Sequence, residues 1–504
     1  MSAKIIITAV SIILLIGVAI GVVAVVQYKK SHEGSDLSPS MKAVSNFCSS
    51  TNHQDSCQKT LGSVDSTDPK EYIMKSILAA EDAVKKFFNY SDSLIVTVKN
   101  DSRTRMGLED CKDMMDYAIQ SLQASYSEVG DAQLHSMTDR VSDLRTWLSA
   151  VISYQQSCLD GFEDKDTMKK NMTDGITDAS ELTSNALAIV TKLTEILAKF
   201  GLQLNVPNSR KLLSVETHGY FPSWFSDVDR KLFAKIDNNN IKPNAIVAKD
   251  GSGQFRTIAA ALAAAPKKSA VRHVIYVKAG IYDEYITLDK SLTNILMFGD
   301  GPRRTIVTGR KNFVDGPLSE PDSLPDQWVQ NTAGAAKHQA VALRIQSDKS
   351  AFFNCRMDAY QDTLYNHANR QFFRNCVISG TIDFIFAQGK SDPNENTGIV
   401  IQNCRIVPEE KLFPDRLRLA TYLGRPWKKF STTVVMESTL GDLIRPEGWT
   451  PWAGSAFEDT LYYAEYNNRG PGANLDRRLT GKVITRSIGT PAMKFHTSTI
   501  PFES

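Results

Sequence analysis

Residues Ser350 to Phe386 read SAFFNCRMDAYQDTLYNHANRQFFRNCVISGTIDFIF, and the repeat inside this stretch decides the fold. Asn354-Cys355 and Asn375-Cys376 each follow a short apolar run and stand 21 residues apart; Asn403-Cys404 follows another run, 28 residues further on. Asp362 and Asp383 each lie seven residues after their cysteine. Strand repeats of this period imply a coiled β-solenoid, whose neighbouring coils stack equivalent side chains in a line. Equal offsets therefore place Asp362 beside Asp383. A carboxylate inside the run Ile382-Asp383-Phe384-Ile385-Phe386 is costly to desolvate unless something pairs with it. The stretch that implies the fold thus also implies a site.

From Ala245 onward the same texture continues, with short apolar runs (Val274–Val277, Ile295–Phe298, Val341–Ile345, Thr397–Ile401) divided by Gly, Asn and Asp. Residues 40–200 are different. Leu108, Cys111, Met115, Ala118 and Leu122 recur at helical spacing, as do Leu144, Trp147, Leu148, Val151 and Ile152. Such stripes are buried by an antiparallel helical bundle. Residues 201–240 read as a linker that carries Arg210-Lys211-Leu212-Leu213 and, further on, Arg230-Lys231-Leu232-Phe233. Dibasic pairs in an exposed linker are candidate cleavage points for a processing protease.

A chain of 504 residues holds at least two domains. Its net charge of +2 conceals an asymmetry: residues 214–504 carry 36 Lys and Arg against 30 Asp and Glu, leaving 22 against 26 before them. A mildly basic C-terminal part is compatible with an acidic polymer. No basic block with interleaved aromatics occurs, which argues against nucleic acid. Ile5 to Val26 is a 22-residue stretch without charge, preceded by Lys4 and followed by Lys29 and Lys30. It is long enough to span a bilayer, so residues 1–30 read as a signal anchor or a cleaved signal peptide, the only membrane contact expected. Both lead into the secretory pathway. Four of seven cysteines precede residue 160, no CxxC occurs, and Asn89, Asn100 and Asn171 head glycosylation sequons. In an oxidising compartment the first four cysteines form two bridges.

Five motifs in order, GIYDEY (280–285), QAVAL (339–343), QDTLY (361–365), DFIF (383–386) and LGRPW (423–427), resemble the signature of plant pectin methylesterases. LEDCKDMMDYAI (108–119) and DLRTWLSAVISYQQSCLDGF (143–162) are similar to the inhibitor domain that precedes the catalytic domain in many of these enzymes. The resemblance implies an all-α four-helix bundle over 40–200, processing at Arg210-Lys211-Leu212-Leu213, and a right-handed parallel β-helix over 241–504. It implies hydrolysis of the methyl esters of homogalacturonan, with Asp383 as nucleophile and Asp362 as acid, then base. Gln339 and Gln361 would be oxyanion donors, and Arg425, Trp427 and also Gln339 would bind substrate. Trp449 and Trp452 are further candidates for a sugar face. Neither cofactor nor metal is expected. The disulfides expected are Cys48–Cys57, Cys111–Cys158 and Cys355–Cys376.

Three stretches are shorter than the family pattern: the Pro- and Asp-rich text between Gly316 and Gln330, which shows no strand alternation, the junction after Phe386, and the end after Thr485. At the junction about one coil is missing, which shifts every later coil by one strand spacing, about 4.8 Å. This leaves Cys404 without its expected partner. It also raises an alternative, a catalytically impaired paralogue acting through its helical domain as an inhibitor or binding module. Another β-helix polysaccharide enzyme is disfavoured, because neither a GHG-type histidine motif nor an Asp cluster for calcium is found.

Overall fold

The computed structural model describes residues 38–98, 101–162, 167–201, 222, 224–236, 241–288, 291–312, 328–387, 389–424, 426–451, 460–479 and 484–487. Two short helices, Pro39–Cys48 (α1) and Gln54–Leu61 (α2), lead into four long ones: Pro69–Ile95 (α3), Ser102–Asp131 (α4), Met137–Asp160 (α5) and Thr167–Thr191 (α6). Their starts are written locally. Asp68 accepts from the Lys70 N–H at 2.9 Å, with Pro69 in the first turn, and Asp101 accepts from Arg103 and Thr104 at 3.0 and 3.1 Å. The α4 stripe Leu108, Cys111, Met115, Ala118 and Leu122 is wholly buried. Disulfides join Cys48 to Cys57 and Cys111 to Cys158, the second tying α4 to α5.

The C-terminal half is a parallel β-helix. One seven-stranded sheet stacks Gly280–Asp283, Thr305–Gly309, Trp328–Asn331, Arg356–Asp358, Val377–Gly380, Arg405–Pro408 and Thr439–Leu440. A six-stranded sheet stacks Ser350–Phe353, Gln371–Arg374, Ile399–Gln402, Thr432–Met436, Tyr462–Tyr466 and Ile484–Ser487. All pairings are parallel. At the corner between these sheets Asn354, Asn375, Asn403, Glu437 and Asn467 all have φ between 49° and 59°. Asn occupies the left-handed region at lower cost than most residues, and Asn403 donates to Asn375 at 2.7 Å. The Asn-Cys repeat is therefore a corner ladder.

Two expectations are corrected. The Cys355–Cys376 bridge is absent: Cys355, Cys376 and Cys404 are buried thiols outside any disulfide. In-register parallel strands, Val377 opposite Arg356 and Arg405, point the three Cβ atoms the same way rather than toward one another. They form a column, and burial together with the neighbouring thiols pushes the Cys376 thiol up. Trp328–Asn331, in the stretch read as lacking strand alternation, pairs with both neighbours in the long sheet.

The solenoid closes over the shortened junction. Val377–Gly380 pairs directly with Arg405–Pro408, and Gln371–Arg374 with Ile399–Gln402. Thr421 Oγ1 donates to the Thr381 carbonyl at 3.1 Å. The intervening Gly389–Thr397 segment leaves the stack and docks on the helical bundle, where Asn52 and Ser184 donate to Asp392 and Arg145 donates to the Asn394 carbonyl. Ile5–Val26, Asn100, Arg210–Leu213 and the end after Ser487 lie outside the described residues. Among the described residues no helix is long and apolar enough to cross a membrane. Asn89 and Asn171 are exposed on α3 and α6. Arg230-Lys231 lies within helix Asp227–Ile236.

Candidate active site

A three-stranded sheet of Leu343–Ile345, Leu364–Asn366 and Ile385–Ala387 sets the site's register, pairing Leu364 with both Leu343 and Ile385. Two residues before Leu364 and Ile385, Asp362 and Asp383 take equivalent places on adjacent coils, about 4.8 Å apart along the stack. Both have left-handed backbones, φ 59° and 49°. Gly380 permits the turn ahead of Asp383: a Cβ there would lie 2.1 Å from Phe384 Cβ and 2.8 Å from Thr363 Oγ1. Gln339 pairs with Gln361 through a parallel bridge, and the Ala340 N–H donates to the Gln361 carbonyl at 3.0 Å. The Ala342 and Leu343 N–H groups both donate to Thr363 O, at 2.9 and 3.1 Å. This bulge turns a 22-residue offset at the bridge into the 21-residue offset of the sheet. All four side chains are half-buried.

Register brings these four groups onto three successive coils; the surrounding space divides them. Asp362, Tyr365 and Trp427 line a cavity of about 310 Å3 together with Lys311, Arg344 and, from the bundle, Asp110, Met114 and Asp160. Asp383 opens on a small separate pocket closed by Tyr422, Leu423 and Gly424, the segment that the shortened junction stacks against it. Arg425 and Trp452 lie outside the described residues. Trp449 is core: it is 2% exposed, packs on Tyr463 and donates to the buried Glu465 at 3.1 Å.

The bundle lies across the trough. Trp427 Nε1 donates to Asp160 Oδ2 at 3.2 Å and Lys428 Nζ to Asp160 Oδ1 at 2.9 Å. Asp143 pairs with Arg370 at 2.8 Å and Lys349 at 3.3 Å. Burial raises the Asp143 carboxyl, but Arg370 and Lys349 outweigh it and hold it below its usual range. Trp147, expected in the bundle core, instead donates across the boundary to Asp348 at 3.2 Å. His367 is fully buried at this boundary. Arg344, which can only donate, lies 2.8 Å from its Nδ1, so Nε2 carries the proton and donates to Ser157 Oγ at 2.7 Å. Burial and then the Arg344 charge push the imidazole well below its usual range.

The pectinesterase family model matches residues 244–387 and again 385–500, and that of the plant invertase/pectin methylesterase inhibitor family matches 42–189. The chain is 38% identical to Pectinesterase 4 of Arabidopsis thaliana, over 97% of this chain and 95% of that protein. It is likewise 38% identical to Pectinesterase/pectinesterase inhibitor U1 of Solanum lycopersicum, over 97% of this chain and 93% of that one. The chain belongs to the pectinesterase family. It is a carboxylic ester hydrolase with an inhibitor-type helical domain in front, and a match across both halves does not favour a helical binding module alone. A solved pectin methylesterase from carrot is 46% identical over 49% of this chain and 89% of its own, with a TM-score of 0.46. The two pieces of the pectinesterase match meet at 385–387, where the sequence reading places the missing coil.

Sequence reasoning missed Asp160, Lys428, Arg344 and His367. The signals stood in or beside the text already quoted: Asp160 is the acidic residue of SCLDGF (157–162), and Lys428 follows LGRPW. Glu284 of GIYDEY also lines the cavity, but its carboxylate accepts from Ile258 and Ala259 N–H at 3.2 and 3.0 Å and so caps a helix.

Proposed function

We propose that this chain hydrolyses the methyl esters of cell-wall homogalacturonan, releasing methanol and leaving free carboxylates. The observation that carries the reading is the pair Asp362 and Asp383 at equivalent positions of adjacent coils, flanked by Gln339 and Gln361, whose backbones pair in a β-bridge. Asp383 attacks the ester carbonyl carbon; the tetrahedral oxyanion takes hydrogen bonds from Gln339 and Gln361, whose neutral amides stabilise charge without quenching the nucleophile. Asp362 gives its proton to departing methanol, leaving an acyl–aspartyl enzyme. It then takes a proton from water, whose oxygen attacks the acyl carbon and frees Asp383. Arg425 and Trp427 bind the substrate, Trp427 offering the sugar an apolar face with a polar edge.

In the docked arrangement the helical domain covers the trough, so it acts as an intramolecular inhibitor until cleavage at Arg210-Lys211-Leu212-Leu213 permits release. Residues 1–30 direct the chain to the secretory route and the cell wall, and Asn89, Asn100 and Asn171 carry glycans. Methanol release from methyl-esterified pectin by the full-length chain, with and without linker cleavage, is the test. Asp383→Asn is expected to abolish it; release equal in wild type and Asp383→Asn would refute the assignment.

A further inference from the structure

The contact that closes the trough has the chemistry of a ligand site. Trp427 Nε1 and Lys428 Nζ converge on the two oxygens of one carboxylate, Asp160, at 3.2 and 2.9 Å, and the ammonium lies 5.3 Å from the Trp427 ring centre. Both groups donate and cannot accept, so together they select an acceptor that carries charge. Asp160 is the last residue of α5. A helix C-terminus is the negative end of the backbone dipole, where a carboxylate is disfavoured. Its place there serves the contact rather than the helix. The Lys428 and Asp160 side chains are only 20% and 25% exposed, so the pair is partly shielded from solvent.

We propose that Trp427 and Lys428 form a subsite for a free carboxylate of the polysaccharide, and that Asp160 fills it as a stand-in while the helical domain is docked; this rests on the pectin reading above. A methyl-esterified unit presents a neutral carbonyl, whereas a unit already hydrolysed presents the carboxylate that Asp160 imitates. The subsite therefore holds polymer that is partly de-esterified, and the product of one turnover strengthens binding for a neighbouring one. Helical domain and product compete for the same two donors.

The test titrates full-length protein, in an Asp383→Asn background that leaves esters intact, with unesterified and with fully methyl-esterified polygalacturonate. Asp160→Asn is expected to raise affinity for the unesterified polymer roughly fivefold, the scale of one partly exposed ion pair. Adding Lys428→Gln erases that gain and adding Lys428→Arg keeps it, while the methyl-esterified polymer binds all three alike. Were domain loosening the whole effect, Asp160→Asn with Lys428→Gln would bind the unesterified polymer as well as Asp160→Asn alone. That result, or no gain in Asp160→Asn, overturns the subsite. Methanol release measured with Asp383 restored separates the two readings: no methanol beside a charge-dependent gain sinks the esterase reading and leaves the subsite standing.

Discussion

A hydrogen-bond donor aimed at a developing oxyanion stabilises the transition state more than the bound ester. Gln361→Ala is accordingly expected to lower kcat by about 10²–10³ while KM moves within about twofold. Steady-state methanol release checks the split, and a rise in KM at constant kcat would place Gln361 in ground-state binding instead. Gly380 is tested by stability: the 2.1 Å overlap with Phe384 Cβ leaves an added methyl no room. Gly380→Ala should destabilise the solenoid by about 1–3 kcal/mol, read as a lower Tm. At this scale the sequence was legible where position alone decides. The seven-residue offset from cysteine to aspartate survives as the register of Leu364 with Ile385. It misled where direction decides: a cysteine's spacing does not say where its Cβ points, so a thiol column was read as a disulfide. Trp449 was misread because burial depends on Glu465 and Tyr463, remote in sequence.

Elements were legible in proportion to how local their causes are. Capped helices with a clean stripe, as at Asp101 and Leu108–Leu122, carry their signal within a few residues. Trp147 stood in such a stripe yet points to Asp348, because the bundle has a second face buried by the solenoid. The late coils depend on long-range polar closure. Glu465 accepts from Arg478 at 2.8 Å and from Trp449 at 3.1 Å, and Glu465 and Arg478 are each about 4% exposed. Removing one partner of a buried pair strands the other's charge. Glu465→Gln is expected to cost about 3–5 kcal/mol, measured by urea unfolding. A loss under about 1 kcal/mol would mean that water reaches Arg478.

Across the whole molecule, His367 is expected to make the docking of the two halves depend on pH. Its neighbours are Arg344 and Tyr365 from the solenoid and Ser157 and Tyr154 from the bundle, and none of these supplies a negative charge to compensate protonation. Docking depresses the imidazole, whereas an undocked histidine titrates near 6.5. The stabilisation is thus fully present above about pH 6.5 and is lost as pH falls through the window down to the depressed value. Asp143 shifts in the direction that matters only at lower pH: its depressed carboxyl supports docking above its ordinary range and is lost only in stronger acid. Between pH 7.5 and 5, one proton taken up only by the undocked state weakens docking by up to about thirtyfold. With the linker cut at an engineered site between Gly201 and Pro222, the halves should co-elute at pH 7.5 and separate at pH 5. His367→Gln, which keeps a donor and an acceptor without a titrating charge, should flatten the difference. Separation that ignores pH in wild type, or that persists unchanged in His367→Gln, would move the acid response to another group.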